Sequence, residues 1–248
     1  MAESQWIVGF HAVLAALESS RPVEQLWLQD NRHDGRLGRL EGAARKRGLP
    51  IRRVPKRRLD ELSAGQPHNG CALRSTPVEL RSIEDLIRPD GEPARLVLLD
   101  TIDDPHNLGA VIRSAAAFGI DGVIVAGPSA PPLGGAAAKA AAGHLERVPV
   151  VRVNVAADAL RTLRDDGYWA LGAAMEGSPS PGIDPTDRWV LCLGSEQKGL
   201  RAKTKSAIDE FVAIPMADGV ESLNLSVAAG VLMYELMARE SSVVNRES

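Results

Sequence analysis

From residue 95 onward, short apolar runs alternate with helical stretches, and this alternation limits the fold more than any other feature of the chain. The predicted strands are RLVLLD, GVIVAG, VPVVRV, YWALGAA, RWVLCLG and FVAIPM, and the predicted helices cover 107–118, 134–143, 156–166, 200–209 and 224–239. Apolar strands separated by helices are typical of an α/β protein with a parallel sheet covered on both faces. Ligands of such folds bind beyond the carboxyl ends of the strands, so functional residues are expected there.

The first 75 residues also alternate between helix and strand, on a smaller scale. The predicted elements are the helix HAVLAALESS, the strand QLWLQ, the helix LGRLEGAARKRG, the strand PIRRV, the helix RRLDELSAG and the strand CALRS. Residues 76–93 contain three prolines and one short helical turn, which is typical of a linker. The sequence therefore predicts a small α/β domain over 1–75, a linker over 76–93 and a larger α/β domain over 94–244.

The composition indicates a globular protein of the cytoplasm. The 248 residues contain no apolar run long enough to cross a membrane, and the amino terminus lacks the pattern of a signal peptide. The two cysteines, Cys71 and Cys192, each lie alone in an apolar run and are expected to be buried and reduced. The five histidines do not fall at metal-ligand spacing, so no metal site is expected.

Positive charge is concentrated near the amino terminus. Residues 1–75 contain 13 Lys and Arg against 8 Asp and Glu, whereas the whole chain has a net charge of −3. The run RKRGLPIRRVPKRR contains eight cations and no acid: Arg45, Lys46, Arg47, Arg52, Arg53, Lys56, Arg57 and Arg58. This pattern fits either a solvated surface or a site that binds a polyanion, and RNA is the polyanion that we favour.

The stretch DPHNLGAVIRSAAAFG follows the first strand of the larger domain. Asn107 is a candidate helix N-cap after the turn at Pro105. Arg113 has no acidic residue three or four positions away, where a helical salt-bridge partner would stand. A guanidinium on an alanine-rich helix near a loop can bind a phosphate through two parallel hydrogen bonds. A salt bridge to a neighbouring loop, for example to Glu196, is the alternative that spacing leaves open.

Two further polar clusters follow later strands. In LGSEQKGL the glycines permit close backbone approach, but Leu200-Arg201 replaces the Lys-Ser/Thr pair of a phosphate-binding loop. No dinucleotide-binding glycine motif follows a predicted strand either, and Glu196 by itself could simply cap the next helix. The other cluster places Ser222, Asn224 and Ser226 before an apolar helix, which needs only one of them as its N-cap.

Taken together, the three clusters resemble the three motifs of the SpoU family of RNA ribose 2'-O-methyltransferases, a branch of the SPOUT class. The matching residues are Asp-Pro-x-Asn-x-Gly-x-x-x-Arg-x-Ala, then Gly-x-Glu-x-x-Gly-Leu, then Ile-Pro-Met followed by Ser-Leu-Asn-x-Ser-Val-Ala. The stretches IVGFHAVLAAL and HNGCALR are similar to the RNA-binding domain that precedes the catalytic domain in family members acting on a guanosine of 23S ribosomal RNA. The chain departs from these members at Gly143-His144 and in the loop 127–138.

The resemblance implies a parallel-sheet methyltransferase domain with a carboxyl-terminal trefoil knot, which would be an exception to the rule that chains are unknotted. It also implies a homodimer and an S-adenosylmethionine site in the knot, with no metal. The residues implied to bind S-adenosylmethionine are Gly194, Ile214, Met216 and Leu223. Those implied in catalysis are Asn107, Arg113, Glu196, Ser222 and Asn224.

The function expected from these features is methylation of a ribose 2'-hydroxyl in RNA, with a guanosine of 23S ribosomal RNA as substrate and neither DNA nor a membrane as partner. Because an arginine does not ordinarily lose its proton in a protein, our hypothesis is that Arg113 grips a phosphate. In the same hypothesis, Ser222 and Asn224 orient the hydroxyl. Transfer RNA or an adenosine of ribosomal RNA would require the same chemistry. A non-catalytic RNA-binding or ribosome assembly factor on this fold is a further alternative.

Overall fold

The computed structural model describes residues 4–244, apart from residues 64, 66, 90, 180–187 and 221. The chain divides into two units, each with its own sheet. Unit 1 comprises Met1–Glu79 and Pro132–Arg147, and unit 2 comprises Leu80–Pro131 and Val148–Ser248. The segment 132–147 therefore packs with the amino-terminal part of the chain, although the sequence alone places it in the larger domain. The domain boundaries drawn from the sequence stay a prediction.

The strands and helices alternate along most of the described chain. The strands are β1 (Gln5–Val8), β2 (Val23–Gln29), β3 (Ile51–Val54), β4 (Cys71–Ser75), β5 (Ala94–Asp100), β6 (Gly122–Ala126), β7 (Val150–Val153), β8 (Trp169–Pro179), β9 (Arg188–Gly194) and β10 (Glu210–Ala213). The helices are α1 (Phe10–Glu18), α2 (Gly35–Lys46), α3 (Lys56–Ser63), α4 (Pro105–Ala117), α5 (Gly135–Ala140), α6 (Ala156–Asp165), α7 (Ala202–Lys205) and α8 (Leu225–Val244).

Unit 1 contains a four-stranded sheet in the order β1-β4-β2-β3. Only β2 and β3 pair in parallel; β4 runs antiparallel to both β1 and β2. Sequence reasoning missed β1, because four residues directly before a helix carry too little periodicity to be recognised. The strand ends at Gly9, whose φ of +96° turns the chain into α1. Its partner β4 lies more than 60 residues further along the chain.

The segment 132–147 is held within unit 1 by a buried ion pair and a close backbone approach. Arg21, only 8% exposed, pairs with Glu146 at 2.8 Å and also donates to the carbonyl of Thr76. A Cβ added at Gly143 would lie 2.7 Å from the Ala15 Cβ, and the φ of Gly143 is +94°. A larger residue at position 143 would therefore separate this segment from α1.

Unit 2 is built on a six-stranded parallel sheet in the order β10-β8-β9-β5-β6-β7. The predicted parallel α/β sheet is confirmed, and its central strands are almost wholly buried because helices cover both faces. Two predicted elements were too long. The helix expected over 200–209 covers only Ala202–Lys205, and the last strand ends at Ala213, before the Ile-Pro-Met sequence.

The polar-rich segment before β5 also packs with unit 2. A short 3₁₀ turn over Glu84–Leu86 forms where a helical turn was predicted, and Leu86 is buried. A Cβ at Gly122 would lie 2.6 Å from the Leu86 Cδ2, so the glycine makes room for this side chain. Leu86 therefore anchors the segment against β6.

Candidate active site

Three side chains that lie far apart in sequence meet at the carboxyl ends of the strands in unit 2. The amide of Asn107, in the first turn of α4, donates to Glu196 Oε1 at 3.0 Å. The amide of Asn224 donates to Glu196 Oε1 at 2.7 Å and to Asn107 Oδ1 at 3.0 Å. A closed triangle of hydrogen bonds therefore joins the predicted catalytic residues Asn107, Glu196 and Asn224.

Glu196 stands where a helix begins. Its Oε1 also accepts from the backbone N–H of Leu225, the first residue of α8, at 3.1 Å. A carboxylate is favoured at this end of a helix because the free N–H groups there give it a partial positive charge. The expected capping role is thus partly realised, although the helix concerned is α8, 29 residues away, rather than the next helix along the chain.

Asn224 is the N-cap of α8. Its Oδ1 accepts from the backbone N–H of Ser226 at 3.0 Å and from the Ser226 hydroxyl at 2.6 Å. The amide group therefore has both ends engaged: the oxygen holds the start of the helix and the nitrogen holds Glu196 and Asn107. This rigid arrangement fixes where the other two side chains lie.

The prediction that Asn107 caps α4 was wrong. The helix begins at Pro105, and its N-cap is Asp104, whose carboxylate accepts from the His106 N–H at 2.8 Å. Proline at the first helical position is favourable because the N–H that it lacks would have no partner there. Asn107 lies inside the first turn, which leaves its side chain available to Glu196.

Arg113 is exposed on α4, and among the described residues it forms no hydrogen bond or ion pair. The salt bridge to Glu196 that spacing had left open does not form; the Oε1 of that glutamate instead accepts from three N–H groups, those of Asn107, Asn224 and Leu225. A guanidinium without a protein partner is free to bind an anion from solution.

Beside the triangle lies a cavity of about 520 Å³. Its lining includes every residue predicted to bind the cofactor, together with two of the predicted catalytic residues: Gly194, Ile214, Met216, Leu223, Glu196 and Ser222. Ser222 is exposed and precedes α8, so it lies outside the helix and is not its N-cap. The structure thus places the second and third sequence clusters around one cavity.

The backbone around Gly194 is very tight. A Cβ at this position would lie 1.9 Å from the Gly199 carbonyl carbon and 2.1 Å from the Leu200 nitrogen. The loop closes on itself through two backbone hydrogen bonds between Ser195 and Gly199. Glycine is therefore required at position 194 because the backbone of the same loop leaves no room for a side chain. The sequence had suggested a different reason, close approach of a ligand.

The charged groups lining the cavity are two acids and one base, namely Glu176, Glu196 and Lys205. The Glu176 carboxylate lies 3.8 Å from Lys205 Nζ, so the charges of these two side chains offset each other. Glu196 then gives the cavity wall a net negative charge. Leucine, isoleucine and methionine side chains form much of the remaining surface. Such a cavity suits a ligand that places an apolar or aromatic group against these walls and a positive charge near Glu196.

Sequence reasoning missed Asp100 and Arg201 as a pair. Asp100 ends β5 and is only 1% exposed; it accepts from the backbone N–H of Arg201 at 3.0 Å and from its Nε at 2.6 Å. The bond fastens the loop after β9 to the centre of the sheet. A lone aspartate at the end of an apolar strand was the available signal, because a carboxylate buried there needs a partner.

The basic run in unit 1 is largely engaged with the protein itself. Arg47 donates to four backbone carbonyls at and beyond the end of α1, those of Ala16, Leu17, Ser19 and Arg21. Arg45 and Arg53 share Glu41, and Arg57 and Arg58 share Glu61. No hydrogen bond or ion pair within the described chain holds the side chains of Lys46, Arg52 and Lys56.

Two further observations concern the described residues alone. None of their helices is both long and apolar enough to cross a membrane. No group of three or more His, Cys, Asp or Glu side chains among them is arranged to hold a metal ion.

The parallel sheet, the cavity at the carboxyl ends of its strands and the polar residues beside it are the features expected of a methyltransferase of the SPOUT class. The family model described as the SpoU rRNA Methylase family matches residues 94–234, and the chain belongs to this family. A second model, described as RNA 2'-O ribose methyltransferase substrate binding, matches residues 6–81. The trefoil knot stays a prediction.

Relatives extend over almost the whole chain. The sequence is 37% identical to the 23S rRNA (guanosine-2'-O-)-methyltransferase RlmB of Xylella fastidiosa, covering 97% of this chain and 99% of the relative. It is 34% identical to the putative TrmH family tRNA/rRNA methyltransferase YacO of Bacillus subtilis, covering 97% and 98%. The crystal structure of the SpoU methyltransferase AviRb from Streptomyces viridochromogenes in complex with AdoMet superposes with a TM-score of 0.82 and 27% identity, covering 96% and 91%.

Proposed function

We propose that this protein transfers a methyl group from S-adenosylmethionine to the ribose 2'-hydroxyl of a guanosine in 23S ribosomal RNA. The observation that carries the proposal is the Asn107–Glu196–Asn224 triangle at the wall of the cavity, with the unpaired Arg113 also on α4. The substrate follows from the relatives named for this activity, and RNA of this kind would place the protein in the cytoplasm.

The cavity suits S-adenosylmethionine, which supplies an electrophilic methyl group on a positively charged sulfur. Glu196 gives the wall the negative charge that a sulfonium favours. Gly194, Ile214, Met216 and Leu223 would hold the adenosyl part, because apolar walls and backbone groups suit a flat heterocycle.

The hydrogen bonds divide the polar residues into two roles. Asn224 has both amide hydrogens and its oxygen in use, so it positions Glu196 and Asn107 rather than binding the ribose itself. Asn107 uses one amide hydrogen on Glu196 and keeps the other. Ser222 keeps its hydroxyl, which bonds no described residue. These two groups would orient the 2'-hydroxyl, and Glu196 Oε2 remains available to accept its proton.

Arg113 would bind the phosphate beside the target ribose. Its position on α4, six residues after Asn107, places it nearly two helical turns from the triangle. Its role would be to stabilise the negative charge that develops on the ribose oxygen, because an arginine side chain offers five N–H donors and no acceptor for the proton.

Mapping of 2'-O-methyl groups in RNA from cells with and without the gene tests the substrate. Loss of one mark from a guanosine of 23S ribosomal RNA is the expected result. Loss of a 2'-O-methyl group from transfer RNA or from an adenosine would support the same reaction on a different substrate. An unchanged map, together with no heat of S-adenosylmethionine binding in calorimetry, would instead indicate a non-catalytic RNA-binding protein.

A homodimer is the oligomeric state that we propose. The exposed surface of α8 carries Val227 and Tyr234, which are 50% and 57% exposed and lie two turns apart on one face. Tyr234 also contacts the ring of Phe118, at the end of α4, with the centroids 6.0 Å apart. Light scattering should give twice the chain mass, and Tyr234→Glu should shift the protein to monomer; a wild-type monomer at micromolar concentration would contradict this.

Binding of RNA through the basic run of unit 1 is proposed as well. Because several of its arginines already have carboxylate partners, the three cations without partners should contribute most to affinity: Lys46, Arg52 and Lys56. Replacing all three by glutamate should weaken RNA binding and flatten its dependence on salt. Unchanged affinity in a filter-binding titration would remove the run from the RNA interface.

A further inference from the structure

Unit 1 has a concavity of its own, with a volume of about 300 Å³. The sequence motifs described above do not explain it. It lies beside the end of β2, the start of α3 and the loop 67–70. Its main polar lining is formed by six side chains: Gln29, Arg32, Lys56, Asp60, His68 and Asn69.

The loop on one side of this concavity is held firmly in shape. His68 is only 6% exposed; its Nδ1 accepts from the Gly70 N–H at 3.0 Å, and its Nε2 lies 3.1 Å from Asp60 Oδ1. The ring proton therefore resides on Nε2 and is donated to Asp60. Asn69 adopts a left-handed φ of +53°, so the exposed side chain is presented by a preformed turn.

The cations of the concavity are available to a ligand. Lys56 forms no hydrogen bond or ion pair with any described residue. Arg32 uses only its Nε, which bonds Asp34 Oδ2 at 2.6 Å, so its terminal nitrogens keep their donors. A Cβ at Gly70 would lie 3.3 Å from Arg32 Nη1, and the glycine thus lets the guanidinium lie close against the loop.

The side-chain amides of Gln29 and Asn69 complete the set. No described residue forms a hydrogen bond with the side-chain amide of Gln29 or of Asn69. The nearby indole N–H of Trp27 donates to Gln25 instead. Each amide offers both a donor and an acceptor, as the edge of a nucleobase does. Two cations and two amides around an open depression match a phosphate joined to a base.

We propose that this concavity, defined as the Arg32–Asn69 pocket by its six side chains, takes one unpaired nucleotide of the substrate RNA. Arg32 and Lys56 hold its phosphate, and Gln29 and Asn69 contact the edge of its base. A base within a duplex cannot enter a depression of this kind, so the pocket reads a loop or a bulge. The proposal rests on the proposed function only for the identity of the RNA.

Binding of a fluorescent single-stranded fragment of 23S ribosomal RNA, with no S-adenosylmethionine present, tests the pocket. Lys56→Gln removes one cation, and Asn69→Gly removes the amide while keeping a residue that tolerates positive φ. Each should raise the Kd about tenfold, which corresponds to one well-placed contact. Arg39→Gln removes an exposed cation of α2 that is paired with Glu18, and it should leave the Kd within about twofold of wild type.

A duplex of the same sequence supplies the second comparison. Wild type should bind it more weakly than the single strand, and Asn69→Gly, which changes no charge, should bind it no differently from wild type. Equal losses in all three variants, or pocket variants that bind the single strand normally, would overturn the assignment. Melting temperatures within about 2 °C of wild type establish that the variants fold.

These results separate the two proposals. If the wild type binds the single strand through the pocket but transfers no methyl group to any RNA, the proposed function fails and the pocket stands. If methyl transfer occurs with the same KM for RNA in wild type and both pocket variants, the pocket fails and the proposed function stands.

Discussion

The amide nitrogen of Asn224 donates a 2.7 Å hydrogen bond to Oε1 of Glu196 and so joins the loop after β9 to the start of α8. The same amide bonds Asn107 on α4. Because one nitrogen holds both partners, the three segments keep a common geometry before any substrate arrives. Prearranged polar groups of this kind cost less reorganisation during the reaction.

Replacing Glu196 by glutamine removes the negative charge of the side chain and keeps its shape, so it tests which of the two the reaction needs. The amide oxygen can still accept from Asn224 and Leu225, so the free energy of unfolding should fall by less than about 1 kcal/mol. Loss of the negative charge should lower the single-turnover rate of methyl transfer by about 10- to 100-fold, the worth of a charge-assisted bond. Asn224→Asp keeps the helix cap but loses both N–H donors, so its rate of methyl transfer should be at least as low. A wild-type rate in either variant would contradict the role of the triangle.

Arg113→Lys tests the bidentate grip on a phosphate. Lysine keeps the charge but offers no planar pair of donors, so kcat/KM for RNA should fall by about tenfold or more. Stability should not change, since Arg113 bonds no described residue. A variant that melts like wild type and also turns over at nearly the normal rate, with the same RNA affinity, would show that a simple positive charge is sufficient.

Gly194→Ala should disrupt the cofactor cavity. The new methyl group would lie 1.9 Å from the Gly199 carbonyl carbon, so the loop carrying Glu196 must open. We expect the Kd for S-adenosylmethionine, measured by calorimetry, to rise by about tenfold or more, with a cost to stability of about 1–3 kcal/mol. Gly42→Ala on α2 is the matched control: its Cβ meets nothing within 4 Å, so it should leave binding unchanged and stabilise the helix slightly.

Asp100→Asn should destabilise unit 2. The carboxylate is buried and accepts two bonds from Arg201, and an amide in its place turns a donor towards one of them. Because the Arg201 side chain is 39% exposed and can reach water, we expect a loss of about 2 kcal/mol in urea unfolding, below the range for a fully buried pair. Asp158→Asn, which breaks the exposed pair with Arg161, should cost less than about 1 kcal/mol; equal costs would show that burial of Asp100 is unimportant.

The two cysteines should resist alkylation while the protein is folded. Burial raises the pKa of the Cys71 thiol to about 12 and raises that of Cys192 further. Since the folded pKa lies above the usual value, little thiolate forms at pH 8, and both side chains are also shielded from the reagent. Mass spectrometry after iodoacetamide treatment should show no adduct in buffer and two adducts in urea. Rapid labelling at pH 8 without denaturant would contradict the burial.

The alternation of apolar strands and helices, and the three polar clusters at strand ends, could be recognised from the order of the residues alone. The parallel sheet of unit 2 follows from local patterns that repeat over short distances, such as the run RWVLCLG that forms β9. Strand β1 could not be recognised in this way, because its four residues become a strand only by pairing with β4. The N-cap of α4 was assigned to Asn107 instead of Asp104, since both residue types cap helices and sequence alone does not rank them.

By itself the sequence determined most of the strands and helices, though not β1, and it singled out Arg113 as a cation without a helical partner, because both depend on neighbours within a few residues. Only the tertiary structure decided the partners of distant side chains. It brought Glu196 to Asn107, 89 residues away, and it committed Arg47 of the basic run to the carbonyls at and beyond the end of α1. It also left Arg113 with no partner among the described residues. Such partners are set by how strands and helices pack, and no periodicity along the chain records that packing.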